Sequence, residues 1–259
     1  MFELPGTNAE LTLSALKSFV RRKTRETGAR ALVLGLSGGL DSAFTAHLLV
    51  QSEPGAPVRV FWLPYRTSDP RSERDARAVA ESLGLELGVM PVTGVVDAAR
   101  ADWGVEERVR VGNLAARARM MALFDASARL GGVVVGTSNL SERYLGYGTL
   151  HGDMAAAFNP IGNLFKTQVR ELAPHLGVPE EIISKTPTAD LWEDQTDEGE
   201  LGFSYEDADR VLFMYGRMGL GEEEIIAAGL PAGLVRAVLE RVRKFEFKGR
   251  PVAQGPPAV

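Results

Sequence analysis

Four short apolar runs, at residues 31–36, 58–63, 85–92 and 133–135, recur along the first half of the chain with helix-like segments between them. Strands separated by segments of that length cannot pair as tight hairpins. The alternation therefore predicts helical crossovers and a parallel sheet. The expected fold class is α/β, a Rossmann-like parallel sheet flanked by helices, with a helical C-terminal portion. Thr7 and Glu10 form a capping-box pattern ahead of Leu13, Leu16 and Val20, so a first helix is expected to run to about Gly28. Ser68 or Asp69 with Pro70 opens another helix, and Asn113 opens one that runs through Arg129. From Lys166 onward the pattern is helical at 169–176, broken at Pro174, and again at 204–216, 222–228 and 232–245. No repeat or linker splits the chain, which predicts one domain over 1–250 and a disordered tail at 251–259.

Composition narrows the partners. With 259 residues, 45% apolar and 24% charged, the chain is long enough to bury a substantial core. Its net charge of -5 argues against an extended hold on nucleic acid, although a nucleotide needs only a few local cations. There is no cysteine, which excludes disulfides, thiolate metal sites and thiol nucleophiles. No apolar run approaches a membrane span, and residues 1–10 lack the pattern of a signal peptide, so a cytoplasmic protein without a membrane partner is expected. The basic run of Lys17, Arg21, Arg22, Lys23 and Arg25 reads as a solvated helix face.

The stretch "LGLSGGLDSA", residues 34–43, empties the first strand into a loop nearly free of side chains. In a parallel sheet that loop lies beyond the carboxyl end of a strand, where ligands bind. Glycines let the backbone approach an anion, and the following helix offers unpaired N–H groups. The lysine of a Walker A loop is missing, and Asp41 is the distinctive charge instead. A carboxylate beside phosphates is repulsive unless a divalent cation bridges them, so the loop implies Mg²⁺. The alternative is a glycine turn with Asp41 as an ordinary cap.

A second cluster, "VVVGTSNLSERYLGYGTLHGD" at 133–153, leaves its strand at Gly136. Glu142 lies about as far beyond this strand as Asp41 lies beyond the first. If the two strands are neighbours, both carboxylates meet at one edge and make a Mg²⁺ site. Leu114, Arg117, Met121, Phe124 and Ala128 share one helical face, which predicts an inward stripe interrupted by Arg117. A charge there needs a partner, either a structural ion pair or an anionic ligand. Lys166 opens a helix, where the dipole disfavours a cation unless a phosphate is near. The six acidic residues within 190–200 read as a solvated loop, and His47, His151 and His175 as structural or surface residues.

S-G-G-x-D-S resembles the pyrophosphate loop of the ATP pyrophosphatases, which cleave ATP to AMP and pyrophosphate and include several synthetases and tRNA-thiolating enzymes. The later motifs are more specific. G-T-x-N-x-S-E, N-P-I-G, K-T-Q-V, K-x-P-[ST]-A-D-L and Q-T-D-E-x-E-L-G-F-S-Y occur in this order here and are similar to those of ammonia-dependent NAD synthetases, over roughly residues 31–248. The resemblance implies that Gly35, Leu36, Ser37, Gly38, Gly39, Leu40, Asp41 and Ser42 hold ATP, with Asp41 and Glu142 on Mg²⁺. It implies that Thr137, Lys166 and Thr188 also contact ATP, and that Arg117 and Lys248 contact the dinucleotide substrate, deamido-NAD. It implies an acidic segment that closes over the nucleotide and a homodimer whose dinucleotide site spans the two-fold interface.

Implied in the same way is the reaction: the nicotinate carboxylate attacks the α-phosphorus of ATP, pyrophosphate leaves, and ammonia converts the acyl-adenylate to the amide. Lys166 would stabilise phosphate charge, and Asp153 would take a proton from ammonium. Glutamine-dependent relatives carry an additional domain with a catalytic cysteine, so this chain is expected to take ammonia that is free or delivered by another protein. Three positions depart from the ammonia-dependent pattern: Leu150 stands where a lysine is expected, Ala157 where an aspartate is, and Phe247 where a histidine is. They predict an altered dinucleotide site. Two other readings stand beside this one: a different ATP pyrophosphatase, such as a GMP synthetase subunit, and a non-catalytic adenine-nucleotide sensor.

Overall fold

The structure, a computed structural model, describes residues 2–188, 190–192, 195–250 and 254–255. The expected disorder of 251–259 thus lies almost wholly outside the described residues. Chain order is α1 (Ala9–Thr27), β1 (Leu32–Gly35), α2 (Leu40–Gln51), β2 (Val58–Trp62), α3 (Pro70–Ser82), β3 (Leu87–Val89), α4 (Thr93–Trp103), α5 (Arg108–Leu130) and β4 (Val133–Val134). After these come α6 (Leu140–Leu145), α7 (Lys166–Leu172), α8 (Glu180–Ile183), α9 (Asp197–Leu201), α10 (Tyr205–Gly216), α11 (Glu222–Ala227) and α12 (Ala232–Phe245).

The four strands are all parallel in the order β3-β2-β1-β4. The chain steps outward from β1 to β3, then returns through α4 and α5 to lay β4 on the other side of β1. The loops after β1 and β4 therefore diverge from neighbouring strands, and the crevice between them is the expected ligand position of an open α/β sheet. Both faces of the sheet are covered. Leu32, Leu34 and Leu36 pack with Val58, Val60 and Trp62 against α2 and α3, with α1 behind them. Val33 and Val134 point the other way, onto Ala115, Ala118, Leu123 and Ala126 of α5. Alternate residues of β1 thus enter two different cores, which is why that strand reads as a continuous apolar run. A third apolar cluster joins α6, α10, α11 and α12 around Tyr205, Leu212 and Val238.

Several boundaries differ from the sequence reading. The first helix is capped by Asn8, whose side chain accepts from the Leu11 N–H, while Thr7 bonds Glu171 through its hydroxyl at 2.8 Å. The third strand keeps only Leu87–Val89, because Gly84 turns with φ +65° before it and Pro91 has no N–H to extend the ladder. The long helix begins at Arg108 rather than Asn113, since its N-cap, Glu107, makes no side-chain cap bond and leaves no signal in the sequence. Pro174 ends α7 as expected, and a 3₁₀ turn follows at Ala173–Leu176. In the basic run of α1, Lys17 bonds Gln51 and Arg21 bonds the Ser52 carbonyl. No helix among the described residues is long and apolar enough to cross a membrane.

Candidate active site

The loop after β1 is held by its own serines. Ser42 Oγ accepts from the Ser37 N–H at 3.2 Å and donates to the Gly39 carbonyl at 2.9 Å. Gly38 has φ +77°, and a Cβ there would collide with the Ser72 carbonyl of α3, so both the conformation and the space require glycine. Gly39 caps α2 without a side-chain bond, which leaves the first amides of that helix to the crevice.

Asp41 lies in the first turn of α2 and Glu142 in the first turn of α6. Asn139, fully buried, links them: its Nδ2 donates to Asp41 Oδ1 at 3.1 Å, and its Oδ1 accepts from the Glu142 N–H at 3.0 Å. The Glu142 carboxylate in turn accepts from the Asn139 N–H, completing a capping box. The pairing inferred from neighbouring strands is therefore present, and Asn139 is a residue the sequence reading missed. Its signal was visible as Asn-x-x-Glu ahead of a short helix.

Lys166, the first residue of α7 and 4% exposed, completes the cluster. Its ammonium pairs with Asp41 and stands 3.4 Å from Glu142, over the Tyr205 ring at 5.3 Å. The two carboxylates offset the helix-dipole penalty on this cation. Burial by itself would lower the lysine pKa, but the charges of Asp41, Glu142 and Asp197 outweigh it and hold the value above the ordinary one. Burial, and then the charge of Asp41, push the Glu142 carboxyl well above the usual range. Two carboxylates around one cation suit a divalent ion that keeps water and phosphate oxygens in its remaining positions. The lysine ammonium between them shows that the pair accepts positive charge. No group of three metal-ligating side chains occurs among the described residues.

Behind this cluster is a buried hub on α10. Asp209, fully buried, accepts from Ser141 Oγ at 2.5 Å, from the Thr167 N–H at 3.0 Å and from Thr167 Oγ1 at 2.8 Å. Ser141 Oγ also accepts from the Lys166 N–H at 2.8 Å. The starts of α6 and α7, which carry Glu142 and Lys166, are thereby tied to one carboxylate. Asp197, in the acidic segment expected to be solvated, is 4% exposed instead, with one oxygen accepting from Tyr205 Oη at 3.1 Å. Burial raises its pKa.

The crevice is about 560 Å³ in volume, within the range of small-molecule sites. Gly35, Leu36, Ser37, Gly39, Leu40, Asp41, Ser42, Thr137, Glu142, Asp153, Lys166, Thr188 and Lys248 all line it. Gly38 supports the loop from behind. Asp153 accepts from the Thr149 N–H at 2.6 Å, and burial raises its pKa, which makes it a better proton acceptor than an ordinary aspartate. Lys248 donates to the Gly146 and Gly148 carbonyls at 2.9 and 3.0 Å.

The reading of Arg117 on an inward stripe is overturned. Met121 and Phe124 are 56% and 43% exposed, and Arg117 is itself exposed, donating to the Leu150 carbonyl at 3.3 Å. The inward face of α5 runs through Ala115, Ala118, Met120, Leu123 and Ala126, which leaves Met121 and Phe124 on the outward side of the helix. Among the α5 arginines it is Arg119 that lines the crevice, donating to the Leu63 carbonyl at 2.9 Å. Of the histidines, His47 is buried with Nδ1 3.0 Å from the Leu176 carbonyl, as a structural residue would be.

Comparison with known proteins places the chain in a family. The family model for NAD synthase matches residues 12–252. The NH(3)-dependent NAD(+) synthetase of Trichlorobacter lovleyi is 45% identical over 94% of this chain and 89% of its own length. Among solved structures, NMN synthetase from Francisella tularensis superposes with a TM-score of 0.85 at 30% identity, covering 97% of this chain and 99% of that one. The NH3-dependent NAD synthetase from Campylobacter jejuni, solved with a nitrate ion, gives 0.80 at 31% identity over 98% and 100%.

Proposed function

Because this chain belongs to the NAD synthase family, we propose that it amidates deamido-NAD with ammonia, using ATP and releasing AMP and pyrophosphate. The observation that carries the reading is the meeting of Asp41, Glu142 and Lys166 at the switch between β1 and β4, directly beside the glycine loop. In this reading the amides of residues 37–42 take the phosphates, and Lys166 leaves the carboxylates to meet the charge that develops as the nicotinate oxygen bonds to the α-phosphorus and the bond to pyrophosphate breaks. Asp41 and Glu142 would hold Mg²⁺, which supplies neutralisation of phosphate charge. Thr137 and Thr188 contact ATP. Asp153 takes a proton from ammonium, so that ammonia attacks the acyl carbon and AMP leaves with its oxygen. Arg117 and Lys248 hold the pyridine nucleotide.

We read residues 1–250 as one functional unit and place it in the cytoplasm, where its substrate ATP is made. A homodimer is supported by the outer side of α4 and α5, where Trp103, Met121 and Phe124 are 43–67% exposed. That face also carries Arg117, so a second copy there would complete the substrate site. A second reading, amidation of nicotinate mononucleotide, is favoured by the similarity to the Francisella NMN synthetase. The test incubates the protein with ATP, Mg²⁺ and ammonium, adding deamido-NAD, nicotinate mononucleotide or xanthylate in separate reactions. Formation of AMP and NAD with deamido-NAD alone is expected. AMP with xanthylate only, or ATP binding without pyrophosphate release, would overturn the proposal.

A further inference from the structure

At the end of the crevice away from β1, three cations are tied to one six-residue stretch of main chain. Arg241 Nε donates to the Leu145 carbonyl at 3.0 Å, Lys248 Nζ to those of Gly146 and Gly148, and Arg117 Nε to that of Leu150. None of the three has a carboxylate within ion-pair distance among the described residues. Like charges held this way repel, and burial together with the charges of Arg241 and Arg117 lowers the Lys248 pKa. Such a cluster is stable when an anion arrives to share it.

Within it Arg241 is the best prepared group. Its guanidinium lies over the rings of Tyr147 and Phe245, 5.7 and 5.2 Å from their centroids, which fixes its plane. Among the described residues only Nε is used in a hydrogen bond, so both terminal amines remain available to the crevice that Arg241 lines. A planar fork held in place with free donors suits the two-oxygen geometry of a phosphate. We propose that Arg241 is a specificity-determining residue that binds a phosphate of the pyridine-nucleotide substrate. The inference rests on the proposed function for the identity of that substrate.

The test measures binding of deamido-NAD by calorimetry without ATP, beside steady-state kinetics, for the wild type, R241Q, R241K and R243Q. R241Q is expected to raise both Kd and KM for deamido-NAD about ten- to a hundredfold, the loss of one charge-assisted contact, with kcat and the KM for ATP within about twofold. R241K keeps the charge but not the fork and is expected to fall between. R243Q removes the same charge from an exposed position paired to Glu222 and is expected to change nothing. An unchanged Kd in R241Q, or parallel shifts in kcat and both KM values, overturns the inference; should R241Q not fold, an unchanged Kd in R241K does so. Wild-type binding without turnover, weakened in R241Q, keeps the inference and removes the proposed reaction. No binding of deamido-NAD or nicotinate mononucleotide by the wild type removes both.

Discussion

Replacing Asp209 by alanine tests whether the catalytic cluster is positioned from behind. The change strips the acceptor from three donors at once: Ser141 Oγ, the Thr167 amide and Thr167 Oγ1. Each buried donor left without a partner costs about 1–3 kcal/mol, which bounds the loss at about 9 kcal/mol. A polar cavity of that kind admits water, which recovers part of it. A net loss of about 3–5 kcal/mol is therefore expected, or a fall in Tm of roughly 6–20 °C for a chain of this size. Urea unfolding followed by circular dichroism gives the stability. Because Ser141 Oγ also receives the Lys166 amide, and Ser141 precedes Glu142, release of pyrophosphate should slow as well. Asp209→Asn keeps the shape and one acceptor oxygen, so it should recover about half of the stability but leave a donor facing a donor. The reasoning fails if Asp209→Ala unfolds at the wild-type urea concentration, or if stability falls while kcat for the surviving folded protein is unchanged.

Three further outcomes are expected. Asp41→Asn combined with Glu142→Gln should reduce pyrophosphate release by about a hundredfold or more, measured by a coupled phosphate assay, because Lys166 loses both counter-charges and the crevice its divalent-ion ligands; turnover within about threefold of wild type would refute it. His47 has its pKa lowered by burial, with the Leu176 carbonyl opposing, so the unfolded chain takes up its proton first as pH falls. Its contribution to stability is complete above about pH 6.5 and is lost as pH falls below that toward the folded value; the slope of unfolding free energy against pH in that window should flatten in His47→Asn. Phe124→Asp places a charge on the outer face of α5 and should convert the proposed dimer to a monomer in sedimentation at micromolar concentration; a wild type that already sediments as a monomer, or a variant that stays dimeric, would refute it.

Local chemistry makes part of this protein legible in the order of its residues. The alternation of apolar runs with helical segments required a parallel sheet, and the glycine loop announced its own backbone conformation, because only residues without Cβ tolerate what Gly38 does beside Ser72. Asn139-x-x-Glu142 is a local capping signal of the same kind. Other features depended on distance in sequence. That Asp41 and Glu142 share a cation required β1 and β4 to be neighbours, which strand order decides and residue spacing does not. Helical phase misled for α5, since the buried face runs through Ala115, Ala118, Leu123 and Ala126 while Met121 and Phe124 face out. Asp209 and Arg241 carry no motif. Their contacts exist only because α10 and α12 fold back onto α6 and α7, 42 or more residues earlier, where burial turns an ordinary charge into one that must find a partner.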